Sequence, residues 1–109
     1  MAWLLRDGEV LTSLEVASSR RDRNRGLLGR HGLGGALLIE RARSVHSVGM
    51  RFAIDIAFCD ADLGVVRTLH LRPQRVTVPV LRATQVIEAE AGMFARWSLR
   101  PGDHLEVRP

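Results

Sequence analysis

An alternation of apolar and other residues between positions 48 and 58 constrains the fold of this chain more than any other feature. Every second position there is apolar, namely Val48, Met50, Phe52, Ile54, Ile56 and Phe58. Successive side chains point to opposite faces of a β-strand, whereas an α-helix repeats every ~3.6 residues. The pattern therefore predicts one strand over residues 48–58.

Further strands are predicted on both sides of this stretch. Trp3–Arg6 and Val10–Val16 flank Asp7-Gly8, a pair that supplies the positive-φ residues of a tight hairpin turn. Pro79 makes residues 76–80 an edge strand or a loop, because proline cannot donate a hydrogen bond to a neighbouring strand. The other predicted elements are strands at 36–40, 65–71, 84–91 and 104–108, a hairpin turn at 60–64, and helices at 20–28 and 93–99.

The length and composition favour one soluble domain over residues 1–109. A chain with 46% hydrophobic residues can bury a core of its own. Its single cysteine, Cys59, cannot form an internal disulfide and is expected to be a core residue. Because the sequence has no Cys/His cluster, we predict no metal or other cofactor. The first apolar run is too short for an export signal, and no uncharged stretch could span a bilayer. We therefore expect a cytoplasmic protein without a membrane segment.

All 16 basic side chains are arginines, and the net charge is +4. The only dense group lies between residues 20 and 30, where Asp22 alone opposes it. Such a patch could attract an anion or a nucleic acid, although a helix surface rich in arginine is more often simply solvated. We take four of these residues as anion-binding candidates, and nucleic-acid association as a minority hypothesis: Arg20, Arg21, Arg23 and Arg25.

The run from Val45 to Phe58 (VHSVGMRFAIDIAF) resembles the central motif of the domain of unknown function 192 family, also called uncharacterised protein family 0127. Segments 25–30 (RGLLGR), 86–92 (VIEAEAG) and 99–103 (LRPGD) agree with the family in order, so the resemblance covers nearly the whole chain. Val48 stands where an aromatic residue is usual, and Ala53 where proline is common. The resemblance implies a mainly β fold, a compact β-sandwich or barrel-like domain with one or two short helices, and it implies no established activity.

Four residues match positions of the family motifs and are candidates for a ligand site: His46, Arg51, Asp55 and Glu88. His46 could act as a base, bind a metal or satisfy a backbone group. Asp55 could point to solvent, cap a backbone turn or be held buried by a donor such as Arg51. Glu88 is expected on a solvated face. In an unbroken strand Arg51 and Asp55 would lie ~13 Å apart with His46 on the opposite face. A shared site therefore requires a break in the strand, at Gly49 or between Phe52 and Ile54.

These residues support two hypotheses beside nucleic-acid association. The first is a small binding module that holds a small polar or anionic ligand near His46, Arg51 and Asp55. The alternative is a small hydrolase in which His46 and Asp55 lie within hydrogen-bond distance or share a metal ion. The sequence leaves open whether the chain is an enzyme, and it does not fix the oligomeric state.

Overall fold

A computed structural model describes residues 2–17 and 34–109 and contains seven strands and one short helix within them. The predicted helix at 20–28 lies outside the described residues, and with it the candidates Arg20, Arg21, Arg23 and Arg25. The elements are β1 (Ala2–Arg6), β2 (Glu9–Ala17), β3 (Ala36–Glu40), β4 (Ile54–Cys59), β5 (Val65–Leu71), β6 (Gln85–Glu90), α1 (Met93–Trp97) and β7 (Glu106–Arg108).

The described strands form one curled sheet in the order β5-β4-β6-β3-β2-β1-β7. Its two edge strands approach each other at one corner, where the Val65 N–H donates to the Asp103 carbonyl at 2.8 Å and the Leu105 N–H to the Leu63 carbonyl at 3.0 Å. The sheet is barrel-like without closing. The radius of gyration, 12.4 Å, is close to the ~13 Å expected for a compact domain of about 100 residues. The prediction of a compact, mainly β fold with one or two short helices is confirmed.

The predicted N-terminal hairpin is present as β1 and β2. Asp7 and Gly8 have φ angles of 54° and 80° and connect the paired residues Arg6 and Glu9. The register between the strands shifts after Leu4. This bulge explains why the apolar residues of β2 do not alternate cleanly in the sequence.

Strand β4 is buried along its whole length because both faces of the sheet are covered. Ala57 and Cys59 face a core to which α1 contributes Phe94 and Trp97. The opposite face has a second core around Ile54, Ile56, Phe58, Leu37 and Met50. We call the first side the helix face of the sheet.

The predicted strand over 48–58 is wrong in its first half. Residues 48 and 49 form a turn in which Gly49 has a φ of 85°, and the Met50 N–H donates to the Ser47 carbonyl at 3.1 Å. Met50 is nevertheless buried in the second core. Before position 54 the apolar alternation thus includes one buried residue, Met50, and one exposed residue, Val48, and strand geometry begins only at Ile54.

The backbone before this turn pairs with a distant segment, and we call residues 41–53 and 72–84 together the ribbon. The Thr77 N–H donates to the Val45 carbonyl at 2.9 Å, and the Ser47 N–H donates to the Arg75 carbonyl at 2.7 Å. These bonds flank an antiparallel bridge between His46 and Val76. The ambiguous stretch around Pro79 is thus an extended loop with a single bridge.

No helix in the described ranges is long and apolar enough to cross a membrane.

Candidate functional site

Asp55 is the second residue of β4, lies on the helix face of the sheet and is only 7% exposed. Its Oδ2 accepts hydrogen bonds from the backbone N–H groups of Gly92 at 3.0 Å and Phe94 at 3.1 Å. No side chain of the helix itself caps these groups, and the preceding residue, Gly92, adopts a φ of 96°. Asp55 therefore caps the first turn of α1 from a neighbouring strand, which compensates for burying its charge.

The second oxygen of Asp55 faces a histidine on the adjacent strand. His70 is the cross-strand partner of Asp55, and its Nδ1 lies 3.3 Å from Asp55 Oδ1. The histidine side chain is 55% exposed, whereas that of Asp55 is 10% exposed. A neutral imidazole that donates its Nδ1–H to the carboxylate carries a lone pair on Nε2. The buried carboxylate thus orients an exposed ring, with Nδ1 directed toward β4.

An open depression of about 460 Å³ adjoins this pair. Its polar side chains are Asp55, Thr68 and His70, and none of its lining residues is arginine or lysine. Its apolar side chains are those of Phe94 and Ala95, and Gly92 and Leu69 complete the lining, although the Leu69 side chain packs against the second core. Asp55 and His70 could ligate a metal, but the described part of the chain holds no group of three His, Cys, Asp or Glu side chains placed to bind one.

The break predicted near Gly49 exists, but Asp55 forms no hydrogen bond or ion pair with His46 or Arg51. His46 is exposed in the ribbon, opposite Val76, and Arg51 is exposed after the turn. His70 occupies the position beside the carboxylate that the sequence hypothesis gave to His46. The histidine that contacts Asp55 is thus His70. His46, which the hydrolase hypothesis placed beside Asp55, makes no hydrogen bond with that carboxylate.

Glu88 lies on the other side of the sheet from Asp55. It is 2% exposed on β6 and is paired across the strands with Leu37 and Ile56, whereas Asp55 is paired with Ala89. The expectation of a solvated face for Glu88 is therefore wrong, because the second core covers that position. Glu88 cannot share the depression with Asp55.

Cys59 is fully buried in the core of the helix face, as predicted. Burial, with a smaller contribution from the charge of Asp60, raises the pKa of its thiol from 9.0 to about 12. A thiol that stays protonated is a poor nucleophile and a poor metal ligand. Cys59 therefore contributes packing and no reactivity at neutral pH.

Comparison with known proteins gives a family and a fold. The family model DUF192, described as "Uncharacterized ACR, COG1430", matches residues 2–107. UPF0127 proteins of Pyrococcus furiosus and Pyrococcus abyssi are 38% and 35% identical over 63 residues, which is 58% of this chain and 54% of each relative. The chain thus spans about half the length of the curated relatives that it matches.

Two solved structures share the fold at 22% sequence identity. A protein of unknown function from Novosphingobium aromaticivorans superposes with a TM-score of 0.82 over 96% of this chain and 82% of its own. A protein from Sinorhizobium meliloti described as a "putative transcription regulator" has a TM-score of 0.80 over 97% of this chain and 91% of its own. At this identity the likeness shows the architecture alone.

Proposed function

We propose that this chain, which belongs to the DUF192 family, is a binding module that holds a small, uncharged polar ligand in the depression beside Asp55 and His70. The family is described as uncharacterised, so the proposal depends on the geometry of this chain. The observation that carries it is the orientation of an exposed imidazole by a buried carboxylate whose other oxygen is held by two backbone N–H groups. A histidine that served only to contact solvent would not require a buried carboxylate to orient its ring.

The residues of the depression indicate the ligand class. His70 Nε2 offers a hydrogen-bond acceptor, and the Thr68 hydroxyl can both donate and accept. Phe94 and Ala95 offer apolar contact to the same ligand. Hydroxyl groups on a partly apolar carbon frame match this set, as in a monosaccharide or a small polyol.

The charge of the depression argues against an anionic ligand. An anion would need a cation or several free N–H donors, whereas the lining contains no arginine and the Gly92 and Phe94 N–H groups are already bonded to Asp55. Of the polar or anionic ligands considered from the sequence, we therefore propose a polar one. We propose that it binds beside Asp55 and His70, and not beside His46 and Arg51. Because the hydrolase hypothesis relied on His46 beside Asp55, we propose binding without catalysis.

The proposal is tested by titrating the ¹⁵N-labelled protein with ribose, glucose and glycerol and following its amide and histidine-ring signals. We expect at least one probe to shift the amide signals of Gly92 and Phe94 and the ring signals of His70 at millimolar concentration, because these groups border the ligand. His70→Ala should abolish the shifts. His46→Ala is the matched control, since it removes an exposed histidine that does not line the depression.

Two outcomes would contradict the proposal. One is the absence of any saturable shift at the Gly92, Phe94 and His70 signals with all three probes. The other is a response that is lost in His46→Ala and kept in His70→Ala, which would place the ligand in the ribbon. The His70→Ala protein should keep the wild-type amide spectrum elsewhere, so that a loss of binding is not confused with a loss of fold.

A further inference from the structure

The ribbon exposes large aliphatic side chains on a surface separate from the depression. Val76, Val78 and Leu81 are 70%, 79% and 79% exposed, and Val48 is 50% exposed. Single exposed aliphatic residues are common, but here four belong to two segments that pair with each other. Their grouping indicates a surface that is covered when a partner is bound.

The backbone at Val76 and Val78 forms an open strand edge. Hydrogen bonds to the neighbouring segment use the Arg75 carbonyl and the Thr77 N–H, so the alternate residues direct their backbone groups away from it. None of the hydrogen bonds within the described part of the chain uses the N–H or C=O of Val76 or Val78. Two residues thus present unused donors and acceptors beside exposed apolar side chains, which is the geometry that accepts an added strand.

The charge of the ribbon defines the partner further. Its two segments, 41–53 and 72–84, contain six arginines and no aspartate or glutamate. All six arginine residues are exposed, namely Arg41, Arg43, Arg51, Arg72, Arg75 and Arg82. A surface with one sign of charge attracts the opposite sign and repels its own kind, which excludes a second copy of the same ribbon as the occupant.

We propose that the ribbon binds an acidic, extended segment of a partner protein, which adds as a strand along Val76–Val78. Pro79 limits the edge in one direction, so the added strand is short and its affinity depends on the flanking arginines as well as on backbone hydrogen bonds. A lipid surface offers no backbone to pair with. Residues 72–84 contain no aromatic side chain on which bases could stack, so a nucleic acid fits less well.

The test uses the synthetic peptide acetyl-EVEVE-amide, whose alternation can place valines beside Val76 and Val78 and carboxylates near the arginines. Binding is measured by titration of the amide spectrum, and strand addition by hydrogen exchange at the Val76 and Val78 amides. We expect both amides to exchange at least ~10-fold more slowly in the complex, because each gains a hydrogen bond. The peptides KVKVK and EVEPE are controls for charge and for strand pairing, and both should bind at least ~10-fold more weakly.

The variant Val78→Asp places a negative charge on the edge, next to its end at Pro79, without removing a buried contact. It should weaken the acidic peptide at least ~10-fold, whereas Val10→Asp, at a valine 54% exposed on β2, should leave binding unchanged. No binding of the acidic peptide to the folded wild-type protein would overturn the proposal. The proposal would also be overturned if the protein bound a DNA duplex or anionic phosphatidylglycerol vesicles more tightly than the peptide and lost that binding in Val78→Asp.

Discussion

Replacing Asp55 by alanine tests whether this buried carboxylate holds α1 against the sheet. The change removes the acceptor for two backbone N–H groups and the partner of His70 Nδ1. The bond to the Phe94 N–H is buried, whereas the bond to the Gly92 N–H is partly accessible. Water can therefore replace the carboxylate at Gly92 more easily than at Phe94, so the two losses are unequal.

The expected loss follows from this difference. An orphaned buried N–H costs about 1–3 kcal/mol, and the loss of a partly exposed hydrogen bond costs about 0.5–1.5 kcal/mol. The contact with His70 adds little, because that side chain is 55% exposed and even a charged pair at the surface contributes only about 0–1 kcal/mol. We therefore expect Asp55→Ala to lower the free energy of unfolding by about 2–4 kcal/mol, an appreciable share of the ~5–15 kcal/mol typical of a domain.

Two companion variants separate the contributions in urea unfolding at neutral pH. Asp55→Asn keeps one oxygen as an acceptor, and we expect it to lose about half as much stability as the alanine variant. His70→Ala removes only the exposed partner and should cost less than about 1 kcal/mol. The reasoning would be refuted if Asp55→Ala were as stable as the wild-type protein, or if His70→Ala were destabilised as much as Asp55→Ala.

Three further predictions concern Cys59, Ser47 and Gly35. The free energy of unfolding should fall by about 2 kcal/mol between pH 9 and 11, because the folded Cys59 thiol stays protonated up to a pKa of about 12 while the unfolded thiol ionises above 9.0. The Cys59→Ala variant should not show this fall. The chain has no lysine or tyrosine that would titrate in the same range. Ser47→Ala should cost about 1–3 kcal/mol in urea unfolding and speed exchange of the Arg75 amide, since the buried Ser47 hydroxyl oxygen accepts that N–H at 3.0 Å. Gly35→Ala should cost about 1–3 kcal/mol in thermal or urea unfolding because its new Cβ would lie 2.8 Å from the Ser13 carbonyl oxygen, whereas Gly34→Ala meets no atom within 4 Å and should be close to neutral. If the pH change, Ser47→Ala or Gly35→Ala left the stability unchanged, the structural explanation given for that prediction would be wrong.

Local sequence signals predicted the elements of this fold better than its connections. Asp7-Gly8 fixed the first hairpin through two positive φ angles, and the apolar run at 36–40 became β3. The strand over 48–58 was predicted too long because an apolar alternation does not show which backbone groups pair. The partner of residues 42–49 lies about thirty residues away around Val76, so no local pattern could reveal it.

The site residue that sequence reasoning missed, His70, illustrates the same limit at a single position. A hairpin of the predicted strands 48–58 and 65–71 was expected, and a regular register counted from the observed pair Cys59–Val65 would place Leu69 opposite Asp55. The structure has a bulge between Phe58 and Cys59, which shifts the register by one residue and brings His70 there instead. A single inserted residue thus decides whether the carboxylate faces an aliphatic side chain or an imidazole.

The division of the family motif between two surfaces leads to a last prediction. His46 and Arg51 lie in the ribbon, whereas Asp55 serves the depression on the helix face, and no hydrogen bond or ion pair of Asp55 joins the two. Effects of substitutions that share no partners are additive within about 0.3–0.5 kcal/mol. We therefore expect Val78→Asp to leave ligand binding at His70 unchanged, and His70→Ala to leave acidic-peptide binding unchanged. Titrations of the double variant would reveal any coupling, and a coupling above about 1 kcal/mol would mean that the motif forms one site after all.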